Sequence, residues 1–190
     1  AEDGWHERLV DVDETGFLLV LSPQATPGDV IPHTALGDIF EISPPREAAI
    51  LELSQRIANK GGAALIIDYG HELSSVGDTL QAMHAHKYTD PLQNPGDADL
   101  TAHVDFQALR QGAESAGTET HGPVTQGSFL QQLGITLRAD RLGRRATTAQ
   151  IKDIDLALHR LTAIGQMGDL FKVLAITRPG DPAPPGFEET

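Results

Sequence analysis

The 190 residues are enough for one domain with a real core, or one domain plus an insertion, and 39% apolar with 22% charged content suits a globular chain. The absence of cysteine excludes disulfides, thiol catalysis and cysteine-ligated zinc. A formal net charge of −13 argues against sequence-independent nucleic-acid binding; it fits a solvated acidic surface first, and encounter with a cationic partner second. No apolar run reaches the length of a membrane span. Ala1–Trp5 lack the basic and apolar regions of a signal peptide, and with no initiator Met the chain reads as a processed or truncated piece.

In chain order, Glu7–Val12 and Phe17–Leu21 flank Asp13-Glu14-Thr15-Gly16, a hairpin signal with Gly at the tight position. Ser22–Ile42 is rich in Pro and Gly and reads as loop with one short strand at most. A helix then starts at Ser43 (N-cap) and Pro44 and stops at Gly61, with Ile50, Leu53 and Ile57 predicted on its inward face. The apolar run from Gly62 to Asp68 predicts a strand buried on both faces. Residues 71–104 show no convincing period and three turn sites, so they read as a long functional loop. Asp105 caps a helix with Phe106, Leu109 and Ala113 inward and Gly117 as its stop. Residues 118–125 form an edge or bulged strand, since Gly122-Pro123 sits within it. Gln126–Gly134 is a short helix. Thr147 with Gln150 makes a capping box for a longer helix that turns Ile151, Ile154, Leu158 and Leu161 inward and ends at Gly165 and Gly168. Phe171–Ile176 is a final buried strand, and Pro179–Thr190 a loose Pro-rich tail. This is an α/β order with about three core strands, close to the lower limit for an independent sheet.

Ligands gather at the carboxyl ends of strands in open α/β sheets, which points to Asp68, Tyr69, Gly70 and His71. A second polar cluster lies in the long loop: Asp78, Gln81, His84, His86, and the run Asp97 to Asp105 with Asp99, Thr101 and His103. Its histidines and carboxylates are of metal-ligand type, but the spacing matches no metal motif, so no metal ligand is assigned. No Walker loop, G-x-G-x-x-G or G-x-S-x-G elbow is present, and no serine sits on a strand-to-helix elbow.

Gly61–His71, Gly77–Ala82, Asp97–Phe106, His121-Gly122-Pro123, Gln126–Leu130, Leu133-Gly134-Ile135, Met167-Gly168 and Phe171–Leu174 together resemble the MidA-like family of S-adenosylmethionine-dependent methyltransferases. That family includes the mitochondrial arginine methyltransferase that acts as an assembly factor for respiratory complex I. The resemblance covers about Ala48 to Thr177. It implies the carboxyl-terminal part of a Rossmann-like, seven-stranded class I methyltransferase sheet, with a β-hairpin insertion and extra helices. The implied organisation is a hairpin and loop insertion over 1–42, the carboxyl half of the methyltransferase domain over 43–178, and a tail over 179–190. Within the middle segment, 71–104 is the active-site loop and 126–168 a helical insertion.

The family's glycine-rich loop, the acidic residue after the second strand and the Asn-Glu-Phe-Phe-Asp-like segment have no counterpart in this sequence. Residue 1 is therefore expected to follow the fourth strand. The residues that hold S-adenosyl-L-methionine are unassigned, and catalysis by this piece alone is not expected. The implied reaction is methyl transfer to a protein arginine on a complex I subunit. Asp68, His103 and Asp105 are then the catalytic candidates, with Asp68 orienting and His103 accepting a proton; Asp105 also reads as a plain N-cap, and His103 as a structural histidine. Tyr69, Gly70, His71, Gln81, His84, Asp99 and Thr101 are the substrate-binding candidates. Implied partners are an arginine-bearing protein and a possible second copy of the chain, with neither nucleic acid nor a membrane span. The implied place is the bacterial cytoplasm or the mitochondrial matrix. A non-catalytic assembly module and, less favoured, a metal-dependent hydrolase are the alternatives.

Overall fold

A computed structural model describes residues 4–27 and 35–188. In chain order the elements are β1 (His6–Asp13), β2 (Gly16–Ala25), α1 (Pro44–Lys60), β3 (Ala63–His71), β4 (Gln81–His84), β5 (Lys87–Thr89), β6 (Asp99–Thr101), β7 (Val104–Asp105), α2 (Phe106–Ser115), β8 (Glu119–Thr125), α3 (Gln126–Gln132), α4 (Ile135–Gly143), α5 (Thr148–Thr162), α6 (Met167–Leu170) and β9 (Phe171–Thr177). They fall into two compact units, Ala1–Ile42 with Ser75–His103, and Ser43–Ser74 with Val104–Thr190. The first carries 13 of the 27 acidic residues but only Arg8 and Lys87 of the 14 lysines and arginines, and is called the acidic unit below. The second is the sheet unit.

The sheet unit holds a four-stranded sheet in the order β7-β3-β9-β8. β9 runs antiparallel to both β3 and β8, and β7 runs parallel to β3 at Gly70 and His71 alone. One face packs on α1 and α2 through Ile50, Ile57, Phe106, Leu109, Ala113, Leu174 and Ile176, with Ala64 and Ile66 of β3 against them. Burying such side chains stabilises by about 1.5–3 kcal/mol each, which is why α1 and α2 turn these positions inward. β8 keeps its place at the sheet edge despite Pro123, by a register shift between His121 and Val124.

Several expectations change here. Leu53 of α1 is 39% exposed, and Ser54 takes the inward position instead, its hydroxyl buried without a partner among the described residues. Ser43 precedes α1 but makes no side-chain capping bond; its carbonyl accepts from Glu47 N. β3 is not buried on both faces: Ala64 and Ile66 meet the helices, whereas Leu65 and Ile67 are 51% and 45% exposed. Along Ala63–Tyr69, β3 is paired with β9 on one side and with no described strand on the other.

Residues 135–143 form α4, a helix the sequence reading lacks. α5 has the expected capping box, yet none of its residues is fully buried. It ends at Thr162, and Gly168 lies inside α6, where a Cβ would come within 2.2 Å of Thr162 C. The described part of the Pro-rich tail is packed rather than loose. The Phe187 ring lies 5.3 Å from Phe129, and Glu188 exchanges two 3.0 Å hydrogen bonds with the Gln132 side chain.

In the acidic unit, β1 and β2 pair antiparallel with Asp13 opposite Gly16. Gly16 takes φ 125°, a value that favours glycine. Asp13 Oδ1 accepts from Thr15 N at 2.7 Å and from Thr15 Oγ1 at 2.6 Å. These two bonds, the hydroxyl's first, hold the Asp13 carboxyl below its ordinary pKa. β2 continues to Ala25, further than the hairpin signal reached, and residues 28–34 of the expected loop lie outside the described residues. The stretch read as a structureless loop carries a second small sheet, β5-β4-β6. Its two-residue turn places Ala85 and His86 at φ 48° and 62°, positive values that non-glycine residues seldom adopt.

Candidate functional site

Within the sheet unit, the carboxyl end of β3 and the start of α2 bring Gly70 and His71 beside Asp105, with Asp68 and Tyr69 just before them on the strand. The pairing of Gly70 with Val104 and of His71 with Asp105 fixes this juxtaposition. Gly70 is obligatory, because a Cβ there would stand 2.1 Å from the Val104 carbonyl oxygen and 3.0 Å from the Phe106 ring. The tight approach seats His71 beside Asp105.

Asp105 is 4% exposed and uses both oxygens. Oδ1 accepts from Ala108 N at 2.9 Å, which caps α2. Oδ2 accepts from Ser74 Oγ at 2.6 Å and lies 3.7 Å from His71 Nε2. Ser74 is fixed further by its amide, which donates to Gln107 Oε1 at 3.0 Å. A buried carboxylate so committed orients a neighbour rather than reaching a ligand. The His71 side chain keeps 25% of its surface open, so it is covered only in part.

Asp68 Oδ1 accepts from Tyr69 N at 2.8 Å, and among the described residues the second oxygen has no partner. Opposite Asp68 in the register is Lys172 of β9, only 9% exposed. Its Nζ donates to Gly70 O at 3.3 Å and to Asp169 O at 2.5 Å, tying the end of β3 to α6. The Tyr69 ring meets Phe171 edge to face, with centroids 5.6 Å apart. Ser74 and Lys172 are site residues that the sequence reading missed. Ser74 lay in a turn signal, and Lys172 in an apolar strand where a lysine gives no pattern.

The remaining candidates, Gln81, His84, Asp99, Thr101 and His103, belong to the acidic unit. His103 N donates to Thr79 Oγ1 at 2.8 Å. Thr79 in turn donates its hydroxyl to Glu41, and its amide to Glu41 Oε1 at 2.8 Å. Gln81 Nε2 donates to Thr79 O at 3.3 Å, and Gln81 pairs with Thr101 across β4 and β6. His84 Nδ1 donates to Asp97 O at 2.6 Å, and Asp99 is exposed opposite Met83. Thus Gln81, Thr101 and His103 share one neighbourhood around Thr79, and His84 and Asp99 stand on the same small sheet. Among the described residues, no three His, Asp or Glu side chains are grouped as metal ligands.

The profile of a family described as "putative S-adenosyl-L-methionine-dependent methyltransferase" matches residues 1–124. The human mitochondrial protein arginine methyltransferase NDUFAF7 is 44% identical over 178 residues, which are 91% of this chain and 40% of that protein. Its Drosophila melanogaster homolog is 39% identical over 182 residues, 90% of this chain and 41% of that protein. An uncharacterized Burkholderia thailandensis protein of known crystal structure superposes with a TM-score of 0.72 at 26% identity, covering 99% of this chain and 51% of that one. A second structure from that organism, with S-adenosyl-homocysteine bound, gives 0.70 at 27% identity over 98% of this chain and 49% of that one. The chain therefore spans about two fifths of the length of these curated relatives.

Proposed function

Because the chain belongs to this family of S-adenosyl-L-methionine-dependent methyltransferases, we propose that it forms the substrate-side part of a protein-arginine N-methyltransferase. In this reading β3, β9 and β8 are the last three strands of a seven-stranded sheet, and the β1–β2 hairpin is an insertion. The substrate is an arginine on a respiratory complex I subunit or its bacterial counterpart, met in the mitochondrial matrix or the bacterial cytoplasm. A second copy of the chain joins in a homo-oligomer.

The family's cofactor supplies a methyl group on a positively charged sulfur. The described residues do not enclose a site for it. β3 lacks a described neighbour along one side, Leu65 and Ile67 lie half exposed, and a nucleoside with an amino-acid arm needs walls on more sides. The chain's own share is the handling of the arginine. A guanidinium is always protonated and its lone pairs are delocalised, so the nitrogen that accepts a methyl group must be aimed and must lose a proton. The free oxygen of Asp68 is suited to receive a guanidinium N–H and so fix its direction.

In place of His103, which belongs to the acidic unit, His71 is the proposed proton acceptor. It stands on the same strand end as Asp68, and Asp105 steadies the imidazolium that results. Asp105 itself is then a positioning residue. The 13 acidic side chains of the acidic unit favour encounter with a cationic segment. His103, Gln81, Thr101, His84 and Asp99 would contribute to that encounter from the acidic unit.

The observation that carries this reading is His71 held against buried Asp105, three residues beyond Asp68 on β3. In the full-length enzyme, His71→Ala and Asp68→Asn should each slow methylation of an arginine peptide by about 100-fold. Normal rates in both variants would remove the two assignments, and a wild-type enzyme with no arginine acceptor would remove the reaction.

One feature favours the assembly-module reading as well. Val10, Val12, Phe17 and Leu21 share one face of the hairpin and are 51–65% exposed. Calorimetric titration with S-adenosyl-L-methionine separates the readings. Binding by a form extended at its amino end, and not by this chain, supports the enzyme; tight partner binding with no cofactor binding by either form supports the module.

A further inference from the structure

The basic charge of this acidic protein is concentrated in one place outside the site. Arg138, Arg141, Arg144 and Arg145 fall within eight residues on α4 and just beyond it, and between Thr120 and Lys152 Asp140 is the only carboxylate. All four arginines are exposed, and among the described residues none makes a side-chain hydrogen bond or ion pair. At 100° per residue, Leu137, Arg138, Arg141, Leu142 and Arg144 share one half of the helix, while Ile135, Ala139 and Gly143 turn inward. Leu133, Leu137 and Leu142 are 50%, 66% and 49% exposed. With Gly134, Arg138 and Arg141 they line an open groove of about 360 Å³. The helix dipole favours Arg141 and Arg144 at the carboxyl end, but it gives no reason for three leucines to stay open between the cations.

We propose that this groove is a docking surface for an acidic polypeptide segment that carries one bulky aliphatic side chain. The leucines receive that side chain, and the planar guanidinium groups of Arg138 and Arg141 take flanking carboxylates in forked pairs. Concavity favours a peptide over an anionic bilayer, which an amphipathic helix meets with a protruding apolar ridge. A nucleic-acid backbone would satisfy the arginines but has no aliphatic group for the leucines. The surface lies outside the residues that the family profile matches.

The test is fluorescence anisotropy with a labelled dodecapeptide of Asp and Glu bearing one central Leu. Micromolar binding is expected, weakened about tenfold by Arg138→Glu with Arg141→Glu, and about threefold by replacing the peptide's Leu with Ser. These exposed substitutions should leave the thermal unfolding midpoint unchanged. Equal binding by wild type and the double variant, or no binding at millimolar peptide, would overturn the proposal. So would phosphatidylserine vesicles that bind the wild-type chain and are not displaced by the peptide.

Discussion

The two units solve the problem of staying folded in different ways. Among the described residues, ten of the eleven buried apolar side chains lie in the sheet unit and Ala82 alone in the acidic unit. The sheet unit is held by burial, with β9 inaccessible over nearly its whole length. The acidic unit is held by backbone ladders and polar ties, such as Arg8 forked onto Asp78 at 2.9 and 3.0 Å and the Glu41–Thr79–His103 chain. Polar ties of this kind contribute little each, and those at the surface weaken with salt. One unit is thus a stable platform, and the other a charged surface that is more easily altered.

The contrast breaks first under core truncation. Phe106→Ala should lower stability by about 3–5 kcal/mol in urea unfolding, whereas Val12→Ala on the open hairpin face should stay within about 0.5 kcal/mol. Similar losses from both would mean that the hairpin is buried in solution. At the junction between platform and site, Asp105→Ala should cost about 1–2 kcal/mol, and Asp105→Asn, which retains a capping oxygen, much less. Equal losses would show that charge rather than the cap matters there.

The smallest expected effect concerns Asp13. Its folded pKa lies below the ordinary value, so its contribution to the hairpin is present above the unfolded carboxylate pKa and fades as pH falls through the folded one. Thr15→Ala should move the Asp13 titration upward toward the ordinary carboxylate value in NMR, and an unmoved titration would dismiss the hydroxyl's role.

Sequence pattern read well wherever a residue's neighbours are local. The Asp105 cap, the capping box at Thr147, and the Phe106, Leu109 and Ala113 face of α2 follow from spacing alone. It failed where distant segments decide. β4, β5 and β6 have three or four residues each and owe their existence to pairing rather than periodicity. α4 starts at Gly134, in the left-handed conformation and without a side-chain cap, so nothing announces it. Leu65 and Ile67 look like core by composition, and exposure of one face of β3 is a property of the fold. The site divided along the same line. The strand-end rule located Asp68–His71, but the ties of Asp105 to Ser74 and of Lys172 to Gly70 span 31 and 102 residues.

Those long-range ties bear on how the chain could change over time. The excursion from Ser75 to His103 leaves the sheet unit just after Ser74 and returns at Val104, and Ser74 is already bonded to Asp105. Its two feet meet at one carboxylate, so its ends are held together within the sheet unit. Lengthening such a loop adds little closure entropy. Changes of length within residues 75–103 should therefore cost the sheet unit little, provided that the ties of Asp78 to Arg8 and of Thr79 to Glu41 are kept.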